Sequence, residues 1–173
     1  NGTSSGGVQT TYGLAQHLGA GFWFANNNTT LRTALKIAGA EAKKNNNPQT
    51  VKLSGGNYTF NNSVTIPVNV TLEGAGQAAT RLTTASGLIQ MDQNTALTNL
   101  TVKSSGAGSA ITLNAVTPAT SSNSFTLSHV DIEATNAGTV LTSTLSGAFT
   151  LNIESSYISA EEFWSATPAS PGI

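Results

Sequence analysis

Three stretches of this chain repeat one another at a spacing of thirty residues, and that repeat limits the folds open to it. Asn69-Val70-Thr71-Leu72-Glu73 matches Asn99-Leu100-Thr101-Val102-Lys103, which matches His129-Val130-Asp131-Ile132-Glu133. A fourth, weaker match is Ser155-Ser156-Tyr157-Ile158-Ser159. Each reads turn residue, inward, outward, inward, outward, the two-residue period of a half-buried strand. A second strand set, Leu88-Ile89-Gln90-Met91, Ala110-Ile111-Thr112-Leu113 and Thr139-Val140-Leu141-Thr142, falls between them. Self-similarity at such a period is the mark of stacked units, each burying its apolar side on the next.

The fold this predicts is an all-β, short right-handed parallel β-helix of about four coils, running from Val51 to Ser159. Leu72, Val102, Ile132 and Ile158 would stack inside, beside a column of Val70, Leu100 and Val130. Outside, Thr71, Thr101, Asp131 and Tyr157 would form one line. Glu73, Lys103, Glu133 and Ser159 would form another, with alternating charge at the ~4.8 Å spacing of neighbouring strands. Asn69 and Asn99 fall where the chain must turn, and Asn tolerates left-handed backbone. His129 stands in the same turn position. A β-sandwich also has many short strands, but it does not require a constant offset of matching core and turn positions.

The rest of the chain reads around that repeat. Residues 1–28 are a Gly-, Ser- and Thr-rich flexible or edge-lying segment in which His17 has no visible partner. The aromatic cluster Phe22-Trp23-Phe24 reads as a plug over the core, with a sugar-stacking platform as the alternative. Residues 29–48 hold an N-terminal capping α-helix over Leu31–Lys44, N-capped by Thr29 or Thr30. Leu31, Ala34, Leu35, Ala38 and Ala42 make one apolar stripe, and Asn45-Asn46-Asn47-Pro48 ends it. Residues 49–159 form the β-helix, and residues 160–173 a C-terminal lid or linker, all in one domain. Val116–Ser124, rich in Ser and Thr, would bulge from the stack. A chain opening on Asn1 reads as mature or trimmed, so a leader could have been removed.

Charged residues are only 9% of the chain, against about a quarter in typical globular proteins. The polar surface is therefore built of Thr, Ser, Asn and Gly. A net charge of -1 gives no electrostatic basis for binding nucleic acid. The absence of cysteine excludes a disulfide scaffold and a zinc–thiolate site. No stretch has the length of a membrane span.

The helix Leu31–Lys44, the run Tyr58-Thr59-Phe60-Asn61-Asn62-Ser63-Val64-Thr65-Ile66-Pro67, the edge Val70-Thr71-Leu72-Glu73-Gly74-Ala75-Gly76 and the repeats together resemble the pectate-lyase-like β-helix superfamily. The likeness covers roughly residues 29–159 and is architectural. It implies either an enzyme on acidic polysaccharides or a non-enzymatic tailspike, adhesin or passenger domain. The Asn-Thr-Asp, Asp-Asp and Gly-His-Gly clusters of the polygalacturonase-like members are missing. So are the several acidic calcium ligands of the lyases, since Asp occurs only at Asp92 and Asp131. No cofactor and no metal site are expected. The only catalytic candidates are Asp131 and Glu133, two outward carboxylates two positions apart that fit a glycosidase pair and equally a solvated register ladder. They would lie near Lys103, Tyr157 and Glu154.

The expected function is that of a non-enzymatic extracellular or cell-surface module, of adhesin, passenger or phage-fibre type. Lys103, Asp131, Glu133 and Tyr157 would bind a carbohydrate or another cell-surface partner, with homo-oligomerisation left open. The alternatives are a polysaccharide-degrading lyase or glycoside hydrolase, or a fragment of one, and a purely structural fibre spacer.

Overall fold

A computed structural model describes residues 11–12, 15–84, 89–106, 109–114, 123–135, 140–144, 149–160 and 164–166. The chain opens with three strands, β1 (Thr11–Tyr12), β2 (Ala15–Gly19) and β3 (Phe22–Ala25), followed by one helix, α1 (Asn28–Asn45). Thirteen further strands follow. They are β4 (Gln49–Leu53), β5 (Gly56–Phe60), β6 (Val64–Ile66), β7 (Val70–Glu73), β8 (Thr80–Thr84), β9 (Ile89–Met91) and β10 (Thr95–Ser104). After these come β11 (Ile111–Leu113), β12 (Asn123–Ala134), β13 (Leu141–Ser143), β14 (Phe149–Glu154), β15 (Tyr157–Ser159) and β16 (Trp164–Ala166).

The helix starts earlier than its apolar stripe suggests. Asn27, not Thr29 or Thr30, is the N-cap. Its Oδ1 accepts from the Thr30 amide at 2.9 Å, and the Thr30 hydroxyl accepts from the Asn27 amide at 3.0 Å. This reciprocal pair satisfies two donors that a helix start leaves open. Asn46, left-handed at φ 47°, ends the helix. Leu31, Ala34, Leu35, Ala38 and Ala42 are all buried, so the stripe does face the core. The helix packs on β2, β3, β4, β5, β6 and β7.

The strands lie in two sheets. An eleven-stranded mixed sheet carries β1-β2-β3-β4-β7-β10-β12-β14, with β5, β8 and β15 joined beside this path. A five-stranded parallel sheet runs β16-β13-β11-β9-β6. The β1–β2 and β2–β3 pairs are antiparallel. Inward residues stack across strands: Trp23, Val51, Leu72, Leu97 and Leu127 in one column, and Tyr58, Leu82, Val102 and Ile132 in another. Val64, Ile89, Ile111 and Leu141 stack in the smaller sheet. All are buried. The columns lose cover toward β14 and β15, where Ile153 is 41% exposed.

Two corrections to the sequence expectation follow. The strands do not close into a solenoid, so the right-handed parallel β-helix of about four coils is not the observed fold. They form two separate sheets, one of them mixed because an antiparallel β1–β2–β3 edge precedes the parallel strands. The thirty-residue register also holds only in part. Val102 pairs with Ile132, and Ile132 with Ile158. Leu72, however, lies beside Leu97, while Val102 lies beside Leu82. The reason is a bend. β10 turns at Asn99, φ 54°, so its first half pairs with β7 and its second with β8. Asn69 therefore stands level with Asn94 (φ 60° and 55°), not with Asn99. The equivalents of Asn99 are His129 and Ser155, at φ 55° and 48°.

Of the remaining expectations, Val116–Ser122 and residues 161–163 and 167–173 lie outside the described residues. Asn123 and Ser124 open β12.

Candidate functional site

Strands β8, β10, β12 and β15 hold the predicted residues on one flank of the larger sheet. Their alternation points Val102 and Ile132 inward, which turns the intervening residues outward. Arg81, Thr101, Asp131 and Tyr157 form one row, and Thr83, Lys103, Glu133 and Ser159 the next. Lys103, Asp131, Glu133 and Tyr157 thus come together as expected from the offset between Asn99 and His129. Glu73 does not join them. It lies beside Thr98 and pairs with Lys52, Oε2 to Nζ 3.2 Å. Glu154 stands outside the two rows, beside Ser128 in the middle of β12, just before the turn at His129.

The charges interlock. Glu133 Oε2 is 3.6 Å from Lys103 Nζ, and its Oε1 is 4.0 Å from Arg81 Nη2, which reaches across Thr101 from two strands away. Asp131 Oδ1 accepts from Gln77 Nε2 at 2.9 Å, and the Gln77 carbonyl accepts from the Thr101 hydroxyl at 2.7 Å. That bridge buries Thr101 to 3% and anchors the loop before β8 on the flank. Two cations and two carboxylates balance, so the patch carries no net charge. Among the described residues, Asp131 Oδ2 has no partner and nothing holds the Tyr157 side chain, which is 65% exposed.

Gln77 and Arg81 are neighbours of these residues that the repeat did not reveal, whereas Thr101 stands beside Asp131 in the outward line it predicted. Gln77 sits in a loop with no periodicity. Arg81 faces Thr101 only because β10 bends. A free carboxylate oxygen, an amide, a guanidinium and an exposed ring side by side suit a polyhydroxylated ligand. Such a ligand offers paired hydroxyls to the planar groups and a C–H face to the ring.

The aromatic cluster near the other end divides. Trp23 is 3% exposed and donates Nε1 to Gln49 Oε1 at 3.1 Å, as a plug would. Phe22 is 43% exposed, with the Lys52 ammonium 5.5 Å from its ring centre. His17, without a visible partner in the sequence, lies against Trp23 with ring centres 4.5 Å apart and the planes tilted by 33°. Among the described residues no cluster of three or more His, Asp or Glu could hold a metal ion, and no helix is long and apolar enough to cross a membrane.

No family model, curated protein or solved structure matches the chain, so the superfamily resemblance rests on the residues quoted for it.

Proposed function

We propose that this protein is a non-enzymatic surface module that holds a carbohydrate on the flank of β8, β10, β12 and β15, outside the cell or on its surface. The observation that carries this reading is Tyr157, 65% exposed and in register with Asp131, whose second carboxylate oxygen is open. An aromatic ring beside an oriented carboxylate gives a sugar both a stacking face and a hydroxyl clamp. Gln77 fixes Asp131, and Lys103 and Arg81 fix Glu133 beside it, so only the Tyr157 ring is ordered on binding. The balanced charges favour a neutral saccharide. Asp131 and Glu133 are each engaged by neighbours, which suits positioning rather than proton transfer.

A glycan array read with the purified chain tests this. We expect retention of neutral glycans and a loss of about tenfold or more in Tyr157→Ala and Asp131→Ala, the scale of a removed anchor. Absence of any retained glycan, or equal retention by both variants, overturns it. Glycan cleavage that vanishes in Asp131→Ala and Glu133→Ala replaces it with the hydrolase or lyase alternative.

A further inference from the structure

We infer a second site, separate from that flank, where α1 meets the turn leading into β6, and we assign it to an oxyanion: sulfate, phosphate or carboxylate. Arg32 and Lys36 stand one helical turn apart and flank a cavity of about 290 Å³ whose far wall carries Ser63 and Thr65. Leu35 and Val64, both buried, form its floor.

Arg32 is fixed in place. Its Nη1 donates to the Ser63 carbonyl at 3.2 Å, its Nη2 donates to the Asn62 carbonyl at 3.1 Å, and its Cζ lies 5.4 Å from the centre of the Phe60 ring. The rest of its N–H fork remains available. The Thr65 hydroxyl is engaged, donating to Gln90 Oε1 at 2.9 Å. The Ser63 hydroxyl has no partner among the described residues, and Ser63 and Lys36, both exposed, line the same cavity.

Charge bookkeeping points the same way. Like charges at this helical spacing repel. The ion pairs among the described residues are Lys52–Glu73, Arg81–Glu133 and Lys103–Glu133, so neither Arg32 nor Lys36 is neutralised by one of them. An anion seated between them would relieve the repulsion and receive charge-assisted bonds from both, one of them from a guanidinium already oriented. The cavity exceeds the size of a bare oxyanion, which leaves room for a small group bearing it.

The test is a titration followed by backbone amide and Arg Nε–Hε nuclear magnetic resonance shifts. Sodium sulfate is added at constant ionic strength against sodium chloride, then glucose 6-sulfate and glucuronate. We expect saturable shifts at Arg32 Nε and at the Ser63 and Thr65 amides, weakened about fivefold or more in Lys36→Gln and in Ser63→Ala, retained in Lys36→Arg and unchanged in Lys43→Gln. Sulfate acting as well as its sugar ester identifies a free ion as the ligand. The ester or the uronate acting alone identifies an acidic sugar. Shifts that never saturate, that chloride reproduces, or that survive Lys36→Gln and Ser63→Ala overturn the site. The Tyr157→Ala variant keeps these shifts whatever the fate of the carbohydrate flank.

Discussion

Gly39, in the middle of α1, faces the Pro67 ring so closely that a Cβ on it would overlap the ring atoms. Glycine is a poor helix former, and alanine there gains about 1 kcal/mol of propensity. The clash runs against a rigid ring rather than a flexible side-chain end, and overpacking of that kind costs about 1 to 3 kcal/mol. Gly39→Ala is therefore expected to lower stability despite the propensity gain. Urea denaturation of the two proteins decides the sign, and a stabilised variant would refute the close approach.

Asn99 supplies the left-handed bend that lets β10 serve two partner strands. Left-handed backbone costs an L-residue without a local hydrogen-bonding side chain about 1 to 2 kcal/mol. Asn99→Ala should lose about that much, and Asn99→Gly should lose far less. Comparing their denaturation midpoints at unchanged slope checks it.

Asp92 has its carboxyl pushed above the ordinary value of 3.8 by burial, which the Asn114 amide at 3.3 Å only partly offsets. The folded state then holds the Asp92 proton more tightly than the unfolded chain does. The contribution of Asp92 to stability is greatest below 3.8 and declines as pH rises through its folded value. Asp92→Asn should be more stable than the parent at pH 7, with the difference closing as the pH falls through the folded value and gone below 3.8. Thermal unfolding across that range measures it, and a variant less stable at pH 7 sinks the assignment.

Glu133 and Ile132 are chain neighbours with opposite roles. The Glu133 pairs with Lys103 and Arg81 join side chains more than a third exposed. Such pairs contribute about 0.2 to 1 kcal/mol. Ile132 is fully buried, and its truncation to alanine costs about 2 to 5 kcal/mol. Glu133→Gln should therefore leave the denaturation midpoint nearly unchanged while Ile132→Ala lowers it sharply. Comparable losses would show the ladder to be structural and weaken its reading as a binding surface.

Much of the local structure was legible because its signals are physical and short-range. The helix stripe, the alternating repeat strands Val70/Leu72, Leu100/Val102 and Val130/Ile132, and the turn role of His129 all follow from period and backbone preference. Long-range pairing was not, because an alternating strand carries no address. Asn69-Val70-Thr71-Leu72 fits Asn94-Thr95-Ala96-Leu97 as well as Asn99-Leu100-Thr101-Val102, and only the bend at Asn99 separates the two choices. The same ambiguity decided the flank. Lys103 and Glu133 were found because their offset is the one that holds. Glu73 was placed with them by the offset that fails, and Arg81 was missed for the same reason.

Every parallel pair among the described residues joins positions distant along the chain, such as Gln49 with Val70, Ile89 with Ile111 and Val102 with Ile132. The local pairs are the two antiparallel hairpins, β1–β2 and β2–β3. A chain wired this way must close long loops before each gain in packing, which makes it a slow folder for its size. Because closure entropy grows only with the logarithm of loop length, extra residues between strands should alter that rate little, so the connections are free to vary while the strands are not.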